Sequence, residues 1–157
     1  MNNSITGVLL QFVPLALVLM AWIAFAYYYA RKIKSVKPPT PEELVGPADC
    51  LTLARRVDGT NFIRRFVVFI NDKQVGYIKT GEVVHFPLPP GKHSISVKVD
   101  WCKSKPVIVE KSADSNVVAW CGSRYNDWRC VFMGFVNPSE YVFVESRGAI
   151  TNGHCTV

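Results

Sequence analysis

The segment KHSISVKVD at residues 92–100 indicates the fold class of the domain around it. Its apolar residues Ile95, Val97 and Val99 alternate with serine and lysine. A period of two is typical of a β-strand that has one buried and one solvent-exposed face. We therefore expect this strand to lie in a sheet that covers a hydrophobic core.

Short apolar segments of the same kind precede and follow it, and turn residues separate many of them. A series of short strands at this spacing favours a β-sandwich or a small barrel. We expect an all-β domain over residues 50–146, built as a small antiparallel β-sandwich and followed by a flexible polar tail at 147–157. The other predicted strands are 51–57, 62–70, 74–79, 82–88, 106–110, 117–121, 129–136 and 141–146.

Turn residues indicate how the first strands connect. Asp58–Gly59 is typical of a hairpin turn and predicts that the segments on either side of it pair with each other. Asn71–Asp72 predicts a second tight turn. Pro90–Gly91 has the chemistry of a type II turn, in which proline presets φ and glycine takes the left-handed position.

Residues 66–99 read FVVFINDKQVGYIKTGEVVHFPLPPGKHSISVKV. The order of a tight turn, a VG-x-I strand, GE, an apolar strand and PG-x-H resembles the PEGA-like modules of bacterial proteins, which are small immunoglobulin-like β-sandwiches. The resemblance covers about a third of the chain and implies a non-catalytic module that is attached to another component. Gly81 and Gly91 would let the backbone reverse. The residues that would supply core are Val75, Ile78, Phe86 and Leu88.

The first 30 residues carry no charged side chain. The apolar run over residues 8–30 would reach about 34 Å as a helix, enough to cross a hydrocarbon core of about 30 Å. A cleaved signal sequence is the alternative, but it would have a basic start and a shorter apolar stretch. We expect a flank at 1–7 and a transmembrane helix at 8–30. The residues predicted at the membrane interface are Trp22, Tyr27, Tyr28, Tyr29, Arg31, Lys32, Lys34 and Lys37.

Basic residues follow the predicted helix, and none precedes it. Because positive residues favour the cytoplasmic side, we expect the N-terminus outside and the C-terminal domain in the cytoplasm. Residues 31–49 are basic and rich in proline, which predicts an extended linker between the helix and the domain. The chain would then be a single-pass protein of the inner or plasma membrane.

The charge balance bears on the class of partner. The chain has 18 basic and 12 acidic residues, but four of the basic residues directly follow the predicted helix, so the remainder has a net charge of only +2. A nucleic-acid-binding domain would carry its basic surface on the folded domain itself. We therefore expect the lipid bilayer as a partner and no nucleic acid.

Five scattered cysteines do not suggest a disulfide framework. In a cytoplasmic domain we expect them to be reduced and mostly buried. An extracytoplasmic domain would instead allow a Cys121–Cys130 disulfide. The cysteines lack C-x-x-C spacing, and His85, His93 and His154 lie in no recognisable catalytic motif. We predict no catalytic residue, no metal site and no cofactor, and therefore no enzyme.

Two groups of residues are candidates for contact with a partner or with lipid. The first is a set of arginines beside the predicted hairpin turn, which would form either a solvated edge or a phosphate-binding site. The second is an aromatic pair in a predicted loop, of the residue types that anchor interfaces. Their neighbours Trp120, Phe132 and Phe135 are expected in the core. The candidates are Arg55, Arg56, Arg64, Arg65, Tyr125 and Trp128.

Together these features predict a single-pass, membrane-anchored β-sandwich that acts as a non-catalytic binding or scaffolding module. We expect an accessory subunit at the cytoplasmic face of a bacterial membrane, with a membrane protein or a second copy of the chain as its partner. An extracytoplasmic anchored domain that binds envelope or surface components is the alternative. A thiol- or metal-dependent enzyme is the third hypothesis.

Overall fold

The computed structural model describes residues 3–47, 49–113, 115–125, 127, 129–151 and 154–155. The chain divides into two compact units, residues 1–35 and residues 36–157. The first unit consists of helix α1 (Asn3–Ser35). The described part of the second unit contains β1 (Cys50–Arg55), β2 (Phe66–Ile70), β3 (Lys73–Ile78), β4 (Val83–Pro87), β5 (Gly91–Val99), β6 (Cys102–Lys103), β7 (Val107–Lys111), β8 (Asn116–Ser123), α2 (Arg129–Val136), α3 (Pro138–Tyr141), β9 (Val142–Thr151) and β10 (His154–Cys155).

Helix α1 includes the apolar run that the sequence predicts to be helical. Its segment Phe12–Ser35 has 24 residues, and none of its side chains is buried. Pro14 lies within the helix. A helix of this length and composition fits a membrane anchor or a signal sequence.

The chain that follows α1 packs against the β-domain. Gly81 has a φ of 73°, and a Cβ at this position would lie 2.4 Å from Val36 Cγ1. The carbonyl oxygen of Leu44 accepts a hydrogen bond from Asn116 Nδ2 at 3.4 Å. This part of the predicted linker therefore follows the surface of the domain.

The first sheet is mixed, with the strand order β10-β9-β8-β1-β4. Strand β1 is antiparallel to β4 and parallel to β8, so the prediction of purely antiparallel sheets is wrong here. Five of the six residues of β1 are buried, as is typical of an interior strand that is covered on both faces. Strand β9 runs to Thr151 and pairs with β10, so part of the predicted flexible tail lies in this sheet.

The hairpin predicted at Asp58–Gly59 is wrong, because β1 and β2 lie in different sheets. Residues 56–65 form a loop between the two sheets instead. The predicted strand over 62–70 accordingly begins only at Phe66. The buried polar contacts that fix this loop are described below.

The second sheet is antiparallel, in the order β3-β2-β5-β6, with β7 also paired to β5. The predicted turn between β2 and β3 is confirmed, since Asn71 and Asp72 have φ of 52° and 61°. Ile95 pairs with a residue of β2 and with a residue of β7, so these two strands lie on opposite edges of β5. Pro106 lies between β6 and β7, where its missing N–H cannot join the ladder.

Both sheets contribute to one hydrophobic core. The buried positions predicted for β5 are confirmed, because Ile95, Val97 and Val99 are all buried; Ser96, on the face predicted to be exposed, is buried as well. Val75 was expected in the core and is exposed instead, because it lies on the edge strand β3. The other core residues expected from the resemblance are buried: Ile78, Phe86 and Leu88.

The strand predicted over residues 129–136 is wrong, because this segment forms helix α2. Asp127 Oδ1 accepts a hydrogen bond at 3.0 Å from the Arg129 N–H, one of the groups that a helix start leaves without an intrahelical partner. Pro138 lies just beyond the helix and cannot continue it. Local signals at both ends therefore favour a helix over a strand.

Candidate functional site

The residues predicted at a membrane interface all lie on helix α1, except Lys37, which follows it. Trp22, Tyr27 and Tyr28 are exposed. Lys32 Nζ lies 5.8 Å from the centroid of the Tyr28 ring, within the range of a cation–π contact. The helix thus carries aromatic and basic groups together towards its C-terminal end, as membrane-interface segments do.

Arg55 was predicted to contact a partner but is fully buried at the end of β1. Its Nη1 donates to the carbonyl oxygens of Arg64 and Ile78 at 2.7 and 3.3 Å. Its Nη2 donates to Asp58 Oδ1 at 3.0 Å and to the Asn61 carbonyl at 2.8 Å. Arg55 therefore holds the loop between β1 and β2 and is not available for contact.

Asp58 and Asn61 extend this network to β8 and α3. Asp58 Oδ2 accepts a hydrogen bond from the Ser123 N–H at 3.1 Å. Asn61 Nδ2 donates to Ser123 Oγ at 2.6 Å and to the Tyr141 hydroxyl at 2.9 Å. Burial raises the pKa of the Tyr141 hydroxyl, so this group stays protonated at neutral pH. No local sequence pattern predicts this network, because its members come from four separate segments.

The other predicted arginines do not form one cluster. Arg56 lines a cavity beside β9, whereas Arg64 pairs with Asp100 and lines a different cavity. Arg65 is exposed. Because Arg55 is buried as well, the predicted four-arginine contact site is not assembled.

The predicted aromatic loop contact is only partly described. Tyr125 is half-buried and packs against the core. Its carbonyl oxygen accepts a hydrogen bond from Thr60 Oγ1 at 3.1 Å. Trp128 lies outside the described residues. Tyr125 can therefore offer only part of its ring to a partner.

An exposed apolar surface lies on α2 and on the turn before β6. Phe132, Phe135 and Val136 are 62, 72 and 77% exposed, and Trp101 is 57% exposed. The three helix residues are spaced three and four positions apart and so share one helix face. The centroids of the Trp101 and Phe135 rings are 5.2 Å apart. We call these four residues the α2 patch; its phenylalanines were expected in the core because their segment was predicted to be a strand.

A missing backbone donor explains the position of Trp101. In a continuing helix, the carbonyl of Gly134 would accept a hydrogen bond from the residue four positions later, but that residue is Pro138, which has no N–H. Trp101 Nε1 donates to this carbonyl instead, at 2.8 Å. The same oxygen lies 3.5 Å from Cys102 Sγ. The indole ring is thereby held in a fixed orientation beside Phe135.

A cavity of about 260 Å³ opens beside the α2 patch. Asn61, Arg64 and Tyr141 contribute polar groups to its wall, and Trp101 and Phe135 contribute apolar ones. Ligand pockets usually enclose about 300–1,000 Å³, so this cavity lies below that range. The polar groups named are already engaged with one another or with neighbouring residues. The geometry favours contact across a surface over enclosure of a small molecule.

The described thiols are suited to a structural role. Cys50, Cys102, Cys121 and Cys130 are free, so the Cys121–Cys130 disulfide of the extracytoplasmic alternative is not formed. Burial raises the pKa of Cys102, and it raises the pKa of Cys121 to about 12. A nucleophilic or metal-binding cysteine needs the opposite shift, because the thiolate is the reactive form.

The two histidines whose side chains are described also have structural partners. His93 Nδ1 lies 3.1 Å from Asn71 Nδ2, and its Nε2 lies 2.8 Å from the Pro89 carbonyl oxygen. His85 Nδ1 lies 3.0 Å from Thr52 Oγ1. Within the described residues, no group of three metal-ligating side chains occurs.

Comparisons with protein-family models, with curated proteins and with solved structures give no match to this chain. The resemblance of residues 66–99 to PEGA-like modules stays a prediction. The α2 patch therefore stands as the candidate site on its geometry alone.

Proposed function

We propose that this protein is a single-pass, membrane-anchored module with a binding or scaffolding role and no catalytic activity. The α2 patch carries the proposal, because it is an exposed and preorganised aromatic surface on a small β-domain that follows an apolar helix. Contiguous apolar surfaces of this kind mark interaction sites in proteins. The module would act as an accessory subunit at the cytoplasmic face of a bacterial membrane.

Helix α1 supports the membrane attachment. Its segment Phe12–Ser35 is long enough to span a bilayer, and none of its side chains is buried against the rest of the chain. Arg31, Lys32 and Lys34 lie at its C-terminal end, where positive residues favour a cytoplasmic location of the following domain. An uncleaved helix would keep the domain at the membrane surface permanently.

The turns between residues 66 and 99 support the proposal of a PEGA-like, immunoglobulin-like sandwich. Gly81 has a φ of 73°, in the left-handed region that a turn glycine adopts, whereas Gly91 has a φ of 133° and is the first residue of β5. The β2–β3 hairpin and its pairing with β5 also follow the order of elements in that resemblance. A module of this class would be non-catalytic, in agreement with the raised pKa values of Cys102 and Cys121.

Photocrosslinking in native membranes tests the binding role of the patch. Phe135 is replaced by p-benzoylphenylalanine, with the same replacement at Tyr77 as the matched control, since Tyr77 on β3 is 54% exposed and lies outside the patch. We expect a several-fold higher yield of adducts from position 135, whether to lipid or to protein. Equal yields from the two positions would refute a binding role for the patch.

Two further measurements test the anchor and its orientation. The full-length chain should resist alkaline extraction of membranes, whereas a released or shortened chain would refute the uncleaved anchor.

An Ile108→Cys variant places an exposed thiol on β7 for labelling with a membrane-impermeant maleimide. We expect labelling above the wild-type background only after permeabilisation. Labelling in intact cells would instead favour the extracytoplasmic alternative.

A further inference from the structure

Building on the proposed function, we propose that the α2 patch docks onto the anionic lipid surface of the membrane in which α1 is anchored. The occupant of the patch is then the headgroup and upper acyl region of the bilayer. The domain would be held to the membrane at two places, through α1 and through the patch.

The residue types in the patch are those that enter a membrane interface. Tryptophan and phenylalanine side chains that share an exposed surface insert at the boundary between headgroups and acyl chains. The Trp101 indole N–H is already bonded to the Gly134 carbonyl, so the ring can enter that region without leaving its donor unsatisfied. Phe132, Phe135 and Val136 would enter beside it from the same helix face.

The size of the patch argues against a second copy of the chain as its occupant. With at most about 200 Å² for each side chain, the exposed fractions of Trp101, Phe132, Phe135 and Val136 correspond to at most about 540 Å². A specific protein–protein interface buries about 800 Å² on each partner. The patch is therefore small for a stable dimer but sufficient for a contact that supplements an existing anchor.

The charges around the patch complement an anionic surface. Asp100 and Asp127 are each paired with one arginine, and Glu140 is paired with both Lys105 and Arg124. The segments that border the patch, residues 64–65, 100–105, 124–129 and 140, carry six basic and three acidic residues, a net charge of +3. Anionic lipids attract such an excess, and salt weakens the attraction. The charged residues of these segments are Arg64, Arg65, Asp100, Lys103, Lys105, Arg124, Asp127, Arg129 and Glu140.

The covalent link to α1 favours the same occupant. A domain joined to a membrane anchor meets the lipid surface at a high effective concentration, in the millimolar range for short flexible links. A contact that would be weak for a free domain is then occupied most of the time. A partner protein would have no such advantage unless it were held in the same complex.

The experiment uses the purified full-length chain reconstituted into vesicles of phosphatidylcholine, with or without phosphatidylglycerol. p-Benzoylphenylalanine replaces Phe135 or, in the control, Tyr77, and lipid adducts are measured by mass spectrometry after illumination. We expect a several-fold higher lipid-adduct yield at position 135. The excess should increase with phosphatidylglycerol and decrease with added salt.

Three outcomes would overturn the proposal. Equal lipid-adduct yields at the two positions would show that the patch has no preference for the bilayer. A crosslinked dimer as the main product at position 135 would assign the patch to a second copy. Adducts to another protein in native membranes, without lipid adducts in vesicles, would assign it to a protein partner. In each case resistance to alkaline extraction still reports separately on the anchor of the proposed function.

Discussion

Replacing Arg55 with methionine should lower the free energy of unfolding by about 3–5 kcal/mol, the usual cost of removing one member of a buried ion pair. Methionine approximates the length of the arginine stem, so the loss comes from the guanidinium. That group satisfies Asp58 Oδ1 and three backbone carbonyl oxygens, and it lies 3.6 Å from the centroid of the Phe66 ring. Asp58 is 1% exposed, and its other carboxylate oxygen accepts a hydrogen bond from the Ser123 N–H.

A double variant separates the unpaired charge from the other losses. Asp58→Asn in the Arg55→Met background removes the carboxylate that would otherwise be buried without its partner. We expect the loss in the double variant to be smaller than the sum of the losses in Arg55→Met and Asp58→Asn by about 0.5–3 kcal/mol, the range of coupling energies for residues in direct contact. The free energies come from urea unfolding of the full-length chain in detergent micelles, followed by tryptophan fluorescence.

Two results would refute this reasoning. A loss of less than about 1 kcal/mol in Arg55→Met would mean that the network contributes no more than one ordinary hydrogen bond. A loss in the double variant equal to the sum of the two single-variant losses would mean that Arg55 and Asp58 are not energetically coupled. Leu53→Ala, a truncation in the same strand and outside the network, controls for loss of apolar burial alone.

Trp101→Phe removes the donor to the Gly134 carbonyl and should lower the free energy of unfolding by about 1 kcal/mol in the same urea assay. An unchanged free energy of unfolding would contradict a stabilising role for this hydrogen bond. Burial raises the pKa of Cys121 from 9.0 to about 12, so between these pH values the folded state retains a proton that the unfolded state loses. The free energy of unfolding should therefore fall as pH rises from 9 towards 12. Cys121→Ala should make that fall shallower, and an identical pH slope would contradict the assignment. Gly81→Ala should lower the free energy of unfolding by about 1–3 kcal/mol, because φ at this position is 73° and the new Cβ would collide with Val36. An unchanged urea midpoint would show that the linker segment around Val36 moves away readily.

The strands that the sequence predicted correctly are those with strong local signals. The apolar positions of β5, the turn at Asn71–Asp72 and the turn glycine at 81 each depend on a few neighbouring residues. Such signals need no knowledge of the rest of the chain. The apolar helix was predictable for the same reason, since length and the lack of charge are local properties.

The candidate site was missed because the local signals for helix α2 were weaker than its strand-like composition, and because its contact with Trp101 joins distant residues. The segment Arg129–Val136 has the valine and phenylalanine content of a strand, but Asp127 and Pro138 mark a helix start and stop. Those two residues and the spacing of the phenylalanines were the signals available. The hydrogen bond from Trp101 to this helix joins residues far apart in sequence, so no local sequence pattern predicts it.

Neither the burial of Arg55 nor the parallel pairing of β1 with β8 could be predicted from neighbouring residues in the sequence. Charged residues are mostly exposed, so four arginines near a turn were assigned to the surface. Arg55 becomes buried only because Asp58 and Asn61 bring polar groups to it from the following loop. Likewise β1 has a parallel neighbour in β8, which lies beyond several intervening strands along the chain.

That parallel pair sets an order of events during synthesis. Leu51 is aligned with Val117, so one edge of β1 stays unpaired until the ribosome has made β8. Helix α1 is complete long before then and can enter a membrane while the β-domain is still unfinished. Pairing between distant segments forms slowly and exposes apolar strand edges in the meantime. A nascent chain that stalls before residue 116 will therefore present β1 to chaperones or to aggregation at the membrane surface.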